Sequence, residues 1–307
     1  MNAGITRRGL LGGGLMLALS AYAAQGEGGR RQAATPLGLL DIPASPRRVV
    51  AIDSRISLES ALALELPVVG YSHSGARPWV PVPAEVPMLA APADLEQILM
   101  LEPDLILCPD TAPHSDWWPL ARLTAIAPVL PSNHHLTWQA NLARLAGWLA
   151  LAPLAERRLA AHAALIAAIR GRHGEAIAAT RVAALYFDPL KRRAMVCSAG
   201  TAYGQLMPAQ VLAELGGREV GADRLGRYGD VALEAFGDVF GDVDAVLLLD
   251  FGDGGPQALA GEALWQRLPA VRDGRVQVVA GNCTFGSFYT AGYLADAWQA
   301  LYARAAA

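Results

Sequence analysis

Charge is scarce in this chain, and what there is forms no pattern. Only 17% of its 307 residues are Asp, Glu, Lys or Arg, the formal net charge is −3, and no basic stripe marks any segment. A nucleic-acid partner is therefore excluded, since phosphate binding needs clustered cations. Cysteine is scarce too. There are three, Cys108, Cys197 and Cys283, and no C-x-x-C. That excludes a zinc ribbon, a thioredoxin-like redox centre and a disulfide-built scaffold. Cys108 reads as a small apolar residue at a strand end. An odd count in an exported chain leaves at least one thiol unpaired, and spacing alone does not decide whether Cys197 and Cys283 pair. Catalytic signatures are missing as well: no G-x-S-x-G and no H-E-x-x-H. "DFGDGG" (250–255) follows a strand but opens no nucleotide-binding helix, so it reads as a turn. The N-terminal apolar run has roughly a dozen residues, short of the ~20 that span a bilayer.

What is present begins with that run. Residues 1–23 have a basic start, an apolar middle and a small-x-small ending at Ala21–Ala23, the layout of a signal peptide. Arg7 and Arg8 ahead of Gly9-Leu10-Leu11 favour a twin-arginine signal over an ordinary secretory one. No cysteine lies near the cleavage point to carry a lipid. The expectation is a mature chain starting near Ala24, free in a periplasm. Hydrophobic residues make up 53% of the sequence, enough for a substantial core, and the length suits two domains.

Residues 24–46 read as an arm. Short β-branched runs then alternate with helical stretches: "RRVVAID", "SLESALALEL" with Ser57 as its cap, "PVVGYS", "DLILCP" and "APVLP". This predicts a parallel sheet covered by helices over 47–151. Between 138 and 172 the chain is rich in Ala, Leu and Arg. Pro153, at home in a first turn, separates a helix to about Leu151 from a long connecting helix over 152–173. Alternation resumes over 174–307. One unit occurs in both halves: "ADLEQILMLEPDLIL" (93–107) and "VALEAFGDVFGDVDAVLLLD" (231–250) each open on a glutamate, Glu96 or Glu234. Each reaches an aspartate eight residues later, Asp104 or Asp242, and runs into an aliphatic strand.

The order "PRRVVAID…ALALELPVVGYS…DLEQILMLEPDLILCP…IAPVL" resembles the N-lobe of periplasmic binding proteins for ferric siderophores, haem and cobalamin. "FDPLKRRAMVCSAGTAYGQLMPAQVLAELGG" and "LLLDFGDGGPQALAGEALWQRLPAVRDGRVQVV" are similar to the ferric-hydroxamate-binding branch. The resemblance covers nearly all of the chain beyond the signal. It implies an α/β fold of two Rossmann-like lobes joined by a long backbone helix, with a shallow cleft between them and little hinge motion. It implies a monomer that delivers a ferric siderophore to an ABC permease dimer, with Glu96 and Glu234 meeting permease arginines. Paired acids on separate lobes suit oriented, electrostatically steered docking; each alone would only favour a helix N-terminus.

Loops after strands supply the expected cleft. These are Ser54, Arg55, Arg77, Trp79, His114 and Trp117 from the first lobe, and Tyr203, Arg227, Tyr228, Thr284, Phe285 and Tyr289 from the second. Trp79 matches a ligand-contacting tryptophan of the hydroxamate branch, and Tyr228 falls at or near another. The branch also carries an arginine before the docking glutamate, on the chelate oxygens; here Ala90 or Ala91 stands there. Arg55 and Arg77 are the available substitutes. Direct metal ligation by His114 with Asp110 and Asp116 matches no known spacing, so no resident metal or cofactor is expected, only iron carried by the ligand. Adjacent His134 and His135, and His73, read as solvated or hydrogen-bonded loop residues. The rival readings are a haem or cobalamin binder of the same fold, with Tyr203, Tyr228 or His114 as a haem ligand, and a twin-arginine-exported enzyme.

Overall fold

In the computed structural model, residues 29–73, 77–112, 114–203 and 205–306 are described. The signal segment lies outside them. The chain opens on a hairpin, β1 (Arg30–Thr35) against β2 (Gly38–Pro43), where a plain arm is expected. The hairpin is attached because it has something to bury. Ile42 and Ala33 enter the main core, and the indole of Trp148 donates to the Ala34 carbonyl at 2.9 Å.

The first lobe follows as β3 (Val49–Ala51), α1 (Ile56–Ala63), β4 (Val68–Tyr71), α2 (Leu95–Met100), β5 (Leu105–Pro109), α3 (Leu120–Leu123) and β6 (Val129–Ser132). Its four strands are all parallel, in the order β4-β3-β5-β6. Buried aliphatic strands in an unbroken run are what two-sided covering demands. Ser57 does not cap α1; it is buried and hydrogen-bonded to Ser132 at 3.0 Å. Asp53 takes that place, its carboxylate accepting from the amides of Arg55 and Ile56. Helix α4 (Trp138–Leu149) is capped by Thr137, which accepts from the Ala140 amide.

Helix α5 (Ala152–Ala179) has 28 residues, six more than expected, with a local break at His173. The second lobe comprises β7 (Arg181–Asp188), β8 (Arg193–Val196), α6 (Met207–Leu215), β9 (Arg218–Glu219), β10 (Asp230–Ala232), α7 (Phe236–Phe240), β11 (Ala245–Asp250), α8 (Gly255–Ala260), α9 (Ala263–Gln266), α10 (Pro269–Arg272), β12 (Val276–Ala280) and α11 (Phe288–Ala305). Its sheet runs β10-β8-β7-β11-β12, with β9 on β7. It is mixed: β8 and β10 are antiparallel, because β7 returns directly through a tight turn at 188–193.

The repeated unit is real, but its register differs from the eight-residue spacing. Asp104 accepts from the amides of Arg47 and Arg48, and its own amide donates to the Arg48 carbonyl. In the second lobe the same bonds are made by Asp244, to Arg181. Asp244, not Asp242, is the counterpart of Asp104. Asp242 instead pairs with Arg181 and Arg224 side chains.

Three apolar clusters build the core. Two are local, one in each lobe. The third joins Val49 and Leu107 of the first sheet, helices α4, α5 and α6, Leu247 of the second sheet and the length of α11. A core shared in this way makes relative motion of the lobes costly, since packed interiors deform little.

Candidate functional site

Strand β3 ends at Ala51 and delivers Asp53, Ser54 and Arg55 to the seam between the lobes, the place where open α/β sheets present loops to ligands. Two buried arginine–carboxylate pairs lie there.

The first pair binds the lobes together. Glu59, fully buried on α1, takes Arg77 Nη1 at 2.7 Å. Its other oxygen accepts from the backbone amides of Ser287 (2.8 Å) and Thr290 (2.9 Å), the open N-terminus of α11 in the second lobe. A helix N-terminus has orphan donors and a positive end, and here a carboxylate from the opposite lobe satisfies both. Arg77 also donates to the carbonyls of Ser54 and Phe285 and to the Thr290 hydroxyl. Trp79 belongs to this seam. Its indole donates to Thr290 Oγ1 at 2.9 Å and its ring stacks on Tyr293, centroids 4.2 Å apart and planes within 3°. Gly281, at φ +88°, passes beneath that ring, where a Cβ would meet it at 2.6 Å.

The second pair is Arg55 with Asp53, also buried. Arg55 Nε donates to Asp53 at 2.9 Å, and its Nη2 lies 3.3 Å from His134 Nε2, itself 3.3 Å from the other Asp53 oxygen. Burial pushes the Asp53 carboxyl up, but the Arg55 charge and the His134 contact outweigh it and hold it well below the usual range. Aromatic rings surround the pair. Arg55 lies 5.0 Å over Phe285 of the second lobe and 5.9 Å from Trp118, and His134 packs 4.7 Å from Phe285. His73 lies between Trp117 and Trp118 with φ +105°, an uncommon backbone for a residue that is not glycine. Burial, then the neighbouring Arg55 charge, lowers its pKa from 6.5 to about 4, so it is neutral at pH 7. Its Nδ1 finds no partner among the described residues.

Opposite lies the second-lobe wall. Tyr203 and Tyr228, each 44% exposed, have ring centroids 5.2 Å apart, and Arg227 covers the Tyr228 ring at 5.4 Å. The two tyrosines, with Tyr186, Asp188, Lys191, Arg193 and Asp230, line a hollow of about 230 Å³. The loops are tied together: the Ala202 amide donates to the Arg227 carbonyl, and the Gln205 amide to the His134 carbonyl of the first lobe.

Of the residues expected in the cleft, the structure groups Arg55, Trp117 and Phe285 on the first-lobe side, and Tyr203, Arg227 and Tyr228 on the second. It draws the others elsewhere. Ser54, Arg77 and Thr284 are buried, and Trp79 is engaged by α11. Tyr289 is half-buried near Arg158, Glu59 and Glu65, and burial raises its pKa. His114 is exposed beside Asp116 and Arg122, lining a separate hollow of about 210 Å³. Among the described residues, no cluster of His, Cys, Asp or Glu could hold a metal ion. Asp53 and His134 gather with these residues without having been expected there, whereas His73 and Trp118 come from loops on the cleft side. The sequence signal for Asp53 was its place directly after a strand. All three cysteines are free, buried thiols. No described helix is long and apolar enough to cross a membrane.

Glu96 and Glu234 fall at corresponding places. Asp94 caps α2, accepting from the Glu96 amide at 2.9 Å. Glu234 lies in a short 3-10 turn (Leu233–Ala235) leading into α7. Both are exposed.

Solved structures share this architecture. A periplasmic solute binding protein from Mycobacterium smegmatis superposes with a TM-score of 0.74 at 16% identity, over 92% of this chain and 100% of that one. The siderophore binding protein FhuD from Vibrio cholerae, bound to Fe3+–Desferal, gives 0.66 at 23% identity over 84% and 98%. The iron uptake ABC transporter substrate-binding protein PiaA from Streptococcus pneumoniae gives 0.65 at 19% over 89% and 98%. No curated protein matches the sequence. A family model described as periplasmic binding protein matches residues 50–281, and the chain belongs to that family.

Proposed function

We propose that this protein captures a ferric siderophore between its lobes and presents it to an ABC permease at the inner membrane. The supporting observation is the convergence of Arg55, His134, Trp118 and Phe285 from two lobes, with the exposed Trp117 ring beside His73 and the exposed Tyr203–Tyr228 pair on the loop whose Gln205 amide donates to the His134 carbonyl. Flat rings give a bulky chelate wide contact with few rotamers to freeze, and the Arg55 guanidinium offers a deep-set cationic donor among them. The arginine absent at Ala90 and Ala91 is thus replaced from a different strand end. The protein acts by binding rather than by turnover, as a monomer in the periplasm, with iron borne by the ligand. Glu96 and Glu234 are the docking acids.

Titration with a ferric hydroxamate, followed by tryptophan fluorescence, tests this reading. Saturable one-to-one quenching supports it, and no change with any of hydroxamate, catecholate or carboxylate chelates removes it. One observation favours haem instead: the neutral His73 has an unpartnered Nδ1 beside two tryptophans. A Soret band on haem addition that His73→Ala abolishes would select that reading.

A further inference from the structure

A second cavity, of about 480 Å³, lies on the helical spine and shares no residue with the cleft walls. Small-molecule pockets run from roughly 300 to 1,000 Å³. It opens where α5 crosses between α4 of the first lobe and α6 of the second. Leu159, Ala163, Ile166, Ala167 and Arg170 give one face of α5, at helical spacing. The alanines leave the space: a longer side chain at 163 or 167 would fill it.

The polar groups of the slot are unequally provided for. Glu214 is saturated by three donors: the Trp138 indole at 3.1 Å, the Gln139 amide at 2.5 Å and His162 Nε2 at 2.5 Å. It has little capacity left to bind a cation. Arg170 is exposed on the lining and makes no ion pair among the described residues. An apolar trough whose carboxylate is already engaged by three hydrogen bonds, and whose guanidinium has no ion-pair partner among the described residues, suits an amphipathic anion.

We propose that this slot is a binding site for an amphipathic monoanion. Its carboxylate meets Arg170, and its apolar body lies along Leu159, Ala163 and Ile166 against Trp138. The site is independent of the siderophore reading. Its walls come from both lobes, joined here through Glu214 to Trp138 and Gln139, and through the Gln210 side chain to the Trp138 amide. An occupant therefore contacts the lobe junction from behind, and any effect on cleft affinity is reciprocal.

Calorimetric titration with dodecanoate and with dodecyltrimethylammonium, both below micelle formation, tests the proposal. The expected result is saturable one-to-one binding of the anion alone. Ala163→Leu, an exposed helical position that keeps helix propensity, abolishes it, and Arg170→Glu weakens it at least tenfold. Equal uptake of both amphiphiles, no uptake of either, or unchanged binding in Ala163→Leu overturns it. Circular dichroism of each variant separates loss of the site from loss of fold.

Discussion

Arg77 and Arg55 leave the same seam in different company. Arg77 donates to acceptors in both lobes, down to the hydroxyl and carbonyl at the entry of α11, and is buried from solvent. Arg55 makes its ionic contact within its own lobe and reaches the other only by lying over Phe285. The first arrangement fixes two bodies; the second keeps a cation available at the edge of an opening. A buried arginine is thus not informative by its burial. What it is bonded to, and from which lobe, decides its role.

The largest effect that would sharpen this contrast is Glu59→Ala. It strands Arg77 and exposes the end of α11, so unfolding should lose about 3–5 kcal/mol by urea denaturation. If stability is unchanged, the seam does not hold the lobes. Asp53→Asn should cost less, about 1.5–3 kcal/mol, because the amide oxygen keeps part of the contacts to the Arg55 and Ile56 amides; its greater effect should be on ligand affinity. Acid unfolding separates the pairs further. Asp53 has a depressed folded pKa, so its contribution is complete above the ordinary carboxylate pKa and is lost as pH falls through the folded value. His73 must bind a proton on unfolding, so stability should decline from pH 6.5 down to about 4. His73→Gln should flatten that upper slope, and a slope that persists contradicts its buried neutral state. Trp117→Ala touches neither pair: about tenfold weaker ligand binding, with stability within about 0.5 kcal/mol, is expected. The smallest effect on the isolated protein belongs to Glu96→Lys with Glu234→Lys. Affinity and stability should be unchanged while uptake in cells fails, and normal uptake removes the docking role.

Alternation of strands and helices was legible because its signals are local. Buried strands such as Leu105–Pro109 are continuous apolar runs, and Pro153 marks the start of α5. The seam was not legible. Glu59 looks like any acid in a first helical turn, and Thr290 like any residue in a closing helix; only the fold brings positions 231 residues apart together. Trp79 shows the same limit. An aromatic on a strand-end loop suits a cleft and a lobe contact equally, and Thr290 and Tyr293 decide between them. The shift from Asp242 to Asp244 shows a related limit. Equal spacing from a glutamate suggested equivalence, whereas the backbone bonds that define it depend on where the neighbouring strand begins.

Because α11 is completed by a residue of the other lobe, the two halves are inherited as a set. A second lobe transplanted onto a relative's first lobe arrives with an unfinished helix unless the new host offers a carboxylate at the position of Glu59. Chimaeras within the family should therefore lose about 3–5 kcal/mol where that residue and its arginine are missing, beyond whatever a mismatched shared core costs.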